Sequence, residues 1–191
     1  MFYMRTEINP ASPVMTLHQA LIERQMIDHM HSYDPSYSDI DVFVENVAKN
    51  KEIASIPIKR YVGRGVCAIV FETADGDILK LTEGSHFPLG RPHECFDVPI
   101  FRKGKAGKVT YYFEEKLMQH DLNKYFVLKV KEMIAKCGYK ASDLGEYDIH
   151  QIGISDDGKL YLIDPECAKF KTVFHALWCK IKSLKNYLKI K

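Results

Sequence analysis

The chain has 191 residues, 46% of them hydrophobic and 27% charged, with a formal net charge of +2. This length supports one full core or two small lobes, the composition is that of an ordinary globular protein, and the near-neutral balance argues against a nucleic-acid partner. Five cysteines without CxxC spacing argue against a disulfide framework or a structural metal and favour a reducing, cytoplasmic setting.

Taken in chain order, residues 1–15 read as irregular, with Pro10 and Pro13. They lack the apolar core of a secretory signal, although a signal read by a specialised secretion machine would escape that test. Thr16-x-x-Gln19 predicts a capping box and a helix to about His31. After a turn at YDPSY (33–37), Ser38 is expected to cap a second helix with Ile40, Phe43, Val44, Val47 and Ala48 at helical spacing.

From Ile56 to Leu117 the pattern is that of strands. Tyr61–Val62, Val66–Glu72 and Ile78–Thr82 predict a meander, with Asp75-Gly76-Asp77 as a hairpin turn. Residues 83–96 hold two prolines and two glycines, which argues against a long helix. Val98–Arg102 and Val109–Leu117 predict a second hairpin turning at Lys103–Gly107. Residues 121–137 read as a helix stopped by Gly138, and Phe126, Val130, Met133, Ile134 and Cys137 share one face. Ile149–Ile154 and Leu160–Ile163 predict short strands around Asp156-Asp157-Gly158. Residues 172–189 predict a last helix, basic and amphipathic, with seven lysines and no acid between Lys169 and Lys191. Such a helix either packs on the domain or contacts an anionic membrane surface or acidic partner. No apolar run reaches the roughly 18–20 residues of a membrane span.

Two constellations carry candidate chemistry. In RYVGRGVCAIVFETADGDILK (60–80), Gly63 and Gly65 would admit phosphates to the backbone. Val70 would pack on an adenine ring, and Lys80 would supply a cation. An isolated glycine pattern also fits a plain hairpin, and Lys80 alone fits a solvated edge lysine equally well. In GEYDIHQIGISDDGKLYLIDPE (145–166), an apolar strand ends at Asp164.

Together these residues resemble the minimal protein-kinase-like proteins, such as small phage kinases and bacterial effector kinases, with aminoglycoside and choline phosphotransferases as related folds. The resemblance covers about residues 57–167 and rests on the order glycine turn, strand lysine, hairpin, helix, loop, hairpin, aspartate. It implies an α+β, bilobal, protein-kinase-like fold: an N-terminal helical extension (1–55), a strand-rich nucleotide-binding lobe (56–118) and a reduced helical C-lobe (119–191). It implies a phosphotransferase using ATP and Mg2+, a serine/threonine-protein kinase acting on a partner protein, with delivery into a host cell compatible with an effector role. Asp164 matches the aspartate that opens the DFG motif, and Gln151 falls where the metal-binding Asn belongs. The catalytic carboxylate is Glu146 in an ungapped alignment. It is Asp148 if Asp148-Ile149-His150 is aligned to the D-x-H motif with a two-residue deletion. His150 would support the loop or serve structure alone. Glu83, Glu94 or an acid from the N-terminal helices would pair with Lys80. The missing Asn and the irregular catalytic loop leave a second reading open, a pseudokinase-like binding module that acts by occupying a partner. A third is a peripheral membrane or interaction protein using the basic C-terminal helix.

Overall fold

The computed structural model describes residues 14–30, 39–83, 96–164 and 167–170. The elements, in order, are β1 (Met15–Thr16), α1 (Leu17–Met30), α2 (Ile40–Ala48), α3 (Lys51–Ala54), β2 (Pro57–Arg64), β3 (Ala68–Thr73), β4 (Ile78–Glu83), β5 (Ile100–Ala106) and β6 (Val109–Glu114). They continue with α4 (Lys124–Lys136), β7 (Tyr139–Ala141), a 3-10 turn (Ile149–Gln151), β8 (Ile152–Ile154), β9 (Leu160–Leu162) and β10 (Ala168–Phe170). The protein is mixed α+β. The expected basic helix at 172–189 and most of 83–96 lie outside the described residues. Among the described residues no helix is long and apolar enough to cross a membrane.

The chain divides into two compact units. The described residues of the first fall within Met1–Ser85 and Phe101–Glu114, and those of the second within His86–Ile100 and Glu115–Lys191.

The first unit is built on a six-stranded antiparallel sheet in the order β1-β2-β3-β4-β6-β5. Strand alternation sends Ile69 and Phe71 of β3, Leu79 and Leu81 of β4, and Tyr111 and Phe113 of β6 to one face. There they meet Leu17 and Leu21 of α1, Ile40, Phe43 and Val47 of α2, and Ile53 of α3 in one buried cluster. The three helices therefore supply much of the sheet's own core. α1 starts as its sequence predicts: Gln19 Oε1 accepts the Thr16 N–H at 2.9 Å, and Thr16 Oγ1 accepts the Gln19 N–H at 3.3 Å. α2 is capped by Asp39, whose carboxylate accepts the Asp41 N–H. The predicted cap, Ser38, lies outside the described residues.

The second hairpin turns later than its composition suggests. Strand β5 begins at Ile100 rather than Val98 and runs through Gly104, and the turn falls at Gly107–Lys108. Gly104 is present for close approach, since a Cβ there would stand 2.1 Å from Tyr111 Oη. Gly107 takes the turn at φ +59. Asn46 of α2 fixes that turn: its Oδ1 accepts the Lys108 N–H at 2.9 Å, and its Nδ2 donates to Val42 O at 2.7 Å.

The second unit centres on α4. Asn123 caps it through the Tyr125 N–H at 2.9 Å, and it ends before Gly138 at φ +84. Val127, Val130 and Ile134 form its buried stripe and pack with Phe96, Leu122, Tyr139, Leu144, Ile152, Leu162 and Cys167. Two short antiparallel pairs complete this unit, β7 with β10 and β8 with β9. The apolar run from Ile149 is strand only from Ile152, because residues 149–151 close into a single 3-10 turn.

Candidate functional site

In the first unit, register gathers the glycine and lysine candidates. Gly63 pairs with Val70, Val70 with Lys80, and Lys80 with Tyr112, so four strands present one row. This row lies on the sheet face opposite the helix-covered core, by the alternation that buries Leu79 and Leu81 on the other side. Val70 and Lys80 are half-buried. Among the described residues no hydrogen bond or ion pair engages the Lys80 amine.

The hairpin that carries the glycines is tight. Gly65 N–H donates to Ala68 O at 2.8 Å, which leaves Val66 and Cys67 as the loop between β2 and β3. Neither Gly63 nor Gly65 has a positive φ. A Cβ built on either meets no atom within 4 Å. The chain's own conformation and packing therefore do not require glycine at these two positions, and the space over the backbone is open.

The acids around Lys80 differ from those named on sequence grounds. Glu83 is three residues along β4 and so faces the other side of the sheet, and Glu94 lies outside the described residues. Glu72 and Glu114 share the Lys80 face, in the next row through Ile78, and both are buried. Glu72 accepts from Lys59 Nζ at 2.9 Å and Arg60 Nε at 2.7 Å. Burial pushes the Tyr112 phenol above its ordinary value. Its hydrogen bond with Thr82 opposes that shift, and the Glu114 carboxylate adds to it. Sequence reasoning missed Glu72, Tyr112 and Glu114 because only strand register places them beside Lys80.

In the second unit, the β8–β9 hairpin brings three candidates to one end. Gln151 N–H donates to Asp148 O at 3.0 Å, and Gln151 O accepts the Ile163 N–H at 2.8 Å, next to Asp164. Asp148, Gln151 and Asp164 are each half-buried. Asp148 Oδ2 accepts the Gly145 N–H at 2.5 Å, so this carboxylate closes its own loop. Glu146 is exposed in the turn before it. His150 contributes its backbone: its carbonyl accepts from Gln119 Nε2 at 2.9 Å, and the same amide reaches Ile152 O at 3.2 Å. At the opposite end of the hairpin, Lys159 and the Ser155 hydroxyl hold the Asp157 carboxyl down to about 2.

Among the described residues no group of three or more His, Cys, Asp or Glu side chains could hold a metal ion. The residues that could offer donors at this hairpin end are Asp164, with its carboxylate, and Gln151, with its side-chain amide oxygen. Both are hard oxygen donors, which suits Mg2+, an ion that keeps several waters and takes only one or two protein ligands beside phosphate. No protein-family model matches the chain, and no curated protein matches it either.

Proposed function

We propose that this chain is an ATP- and Mg2+-dependent phosphotransferase of minimal, bilobal protein-kinase-like fold, acting on a hydroxyl of a partner protein. One observation carries the reading: Gly63, Val70, Lys80 and Tyr112 stand abreast on a sheet face away from the core. The glycines there leave open space, and Lys80 has no partner among the described residues. A cationic amine level with uncovered backbone is suited to phosphate, and a valine between them is suited to the flat face of a base. The order of elements supports the same reading, since the lysine strand is the third of a meander whose first strand carries Gly63 and runs directly into Gly65.

In this reading Gly63 and Gly65 give the phosphates access to backbone, Val70 packs on the adenine, and Lys80 contacts the phosphates. Asp164 and Gln151 would hold Mg2+, which when bound neutralises charge on the phosphates. Asp148, or else Glu146, orients the acceptor hydroxyl and accepts its proton as the γ-phosphoryl passes to the acceptor oxygen and ADP leaves.

The test is transfer of labelled phosphate from ATP with Mg2+, to the protein itself or to proteins of a lysate. Wild type should label, and Asp164→Ala should fall to background. Equal labelling by the two would sink the enzyme reading. A second reading, a pseudokinase-like module that acts by occupying a partner, is favoured by the engagement of Asp148 Oδ2 with the Gly145 N–H and by Gln151 in the place of Asn. It predicts no transfer and no rise in melting temperature at millimolar ATP with Mg2+.

A further inference from the structure

We propose that helix α1 holds the glycine turn in place through a buried ion cluster, Arg24–Asp28–Arg64. Arg64 is the last residue of β2 and stands between Gly63 and Gly65. Its side chain is 6% exposed, as is that of Asp28, and Arg64 Nη1 donates to Asp28 Oδ2. The other carboxylate oxygen of Asp28 takes Arg24 Nη2 at 2.7 Å, from one turn earlier on α1. Arg24 also lies over the Tyr61 ring, 4.9 Å from its centroid, so α1 grips β2 at two places.

The physical need for such a grip lies in the glycines themselves. A strand end with two glycines has extra backbone freedom, and neither glycine brings a side chain to pack. Backbone donors aid binding of an anion only when their position is fixed in advance. Arg64 puts a fixed point between them, because its guanidinium engages, through Nη1, a buried carboxylate whose other oxygen is already held. A buried ion cluster is weak evidence for stability, since desolvation offsets most of the attraction. Its better use is to specify one geometry, and here that geometry belongs to the turn. Arg24, Asp28 and Arg64 are thus positioning residues, and none is assigned a contact with substrate. The anchoring stands on the ion cluster alone, whereas its consequence for nucleotide rests on the proposed phosphotransferase reading.

Arg64→Ala in the full chain is the informative variant, because Asp28 keeps Arg24 and no buried acid is stranded. Amide hydrogen exchange reads the turn directly through the Gly65 N–H, which is bonded to Ala68 O in the native hairpin. We expect exchange at residues 65–67 to rise at least tenfold with the melting temperature nearly unchanged, and the Kd for ATP with Mg2+ to rise about tenfold. If Arg64→Ala does not fold, Arg64→Lys reads the same amides and should show a smaller rise, since lysine keeps the charge and loses the planar guanidinium that holds Asp28 through Nη1. Native exchange at residues 65–67 in a folded variant would overturn the proposal. Faster exchange together with a wild type that binds no nucleotide would support the anchoring and remove the phosphotransferase reading instead.

Discussion

At the scale of single residues, the glycines offer the sharpest discrimination between a nucleotide site and a plain hairpin. Gly63 and Gly65 avoid positive φ, and neither would bring a Cβ against another atom. Replacing either by alanine therefore removes conformational freedom from the unfolded chain without native strain, which stabilises by about 0.5 kcal/mol. If phosphates approach the backbone at these positions, the same methyl group stands where they must lie. Gly63→Ala and Gly65→Ala should leave the melting temperature equal or slightly raised and weaken ATP binding about tenfold or more, as read by calorimetry with Mg2+ present. Undiminished binding in both variants would leave the glycines as hairpin residues only. Lys80 is legible in the sequence as a lysine between apolar neighbours, but its direction is not. Alternation about Leu79 and Leu81 fixes that direction, and it requires knowing which face the helices cover. The same holds for its acidic neighbours: Glu83 is close in sequence and faces away, whereas Glu114 is distant in sequence and shares the face.

At the scale of elements, local signals were readable and pairings between distant segments were not. The Thr16–Gln19 box, the turns at Gly76 and Gly158, and the stop at Gly138 depend on chemistry within four residues, and each appears at its expected place. The turn predicted at Lys103–Gly107 misled because glycine has two uses. Gly104 makes room for Tyr111 across the hairpin, and only Gly107 turns the chain. The pairing of β7 with β10 joins residues 139–141 to 168–170, and a three-residue strand has no periodicity from which to infer it. Helices α1 and α2 read from sequence as an addition before the sheet, because amphipathic spacing identifies a buried face and not the partner that buries it. Asn46 gives this docking a direct test. Its amide bridges Val42 O of α2 and the Lys108 N–H of the β5–β6 turn. A methyl at residue 107 would stand 2.0 Å from Asn46 Oδ1 and would demand φ +59 of an L-residue. Gly107→Ala should therefore cost about 2–3 kcal/mol, combining left-handed strain of ~1–2 kcal/mol with loss of a hydrogen bond of ~1 kcal/mol. Urea unfolding monitored by tyrosine fluorescence measures this. A loss under half of a kcal/mol would mean that α2 does not hold the turn.

At the scale of the whole molecule, the residues proposed for phosphoryl transfer belong to two separate compact units, and kinetics tests whether they act together. Lys80 belongs to the first unit, and Asp164 with Gln151 to the second. Each unit has its own core, so truncating one polar side chain in either leaves the other's packing intact. Kinetics then separates a shared reaction from two unrelated features. Groups that stabilise one transition state act as a unit, and once one is lost the other has little left to contribute. Removing a single charge-stabilising contact of this kind costs about a hundredfold or more in rate. Lys80→Met and Asp164→Ala should each reduce phosphate transfer by at least that factor. The double variant should be no more than about tenfold slower than the slower single variant, because the residual rate no longer depends on an organised nucleotide. Losses that multiply would assign the two residues to independent roles and would exclude one phosphoryl-transfer step as their common task. A circular dichroism melt of all three variants guards the comparison, since Lys80 and Asp164 lie outside both buried clusters and their truncation should leave the melting temperature within a few degrees of wild type.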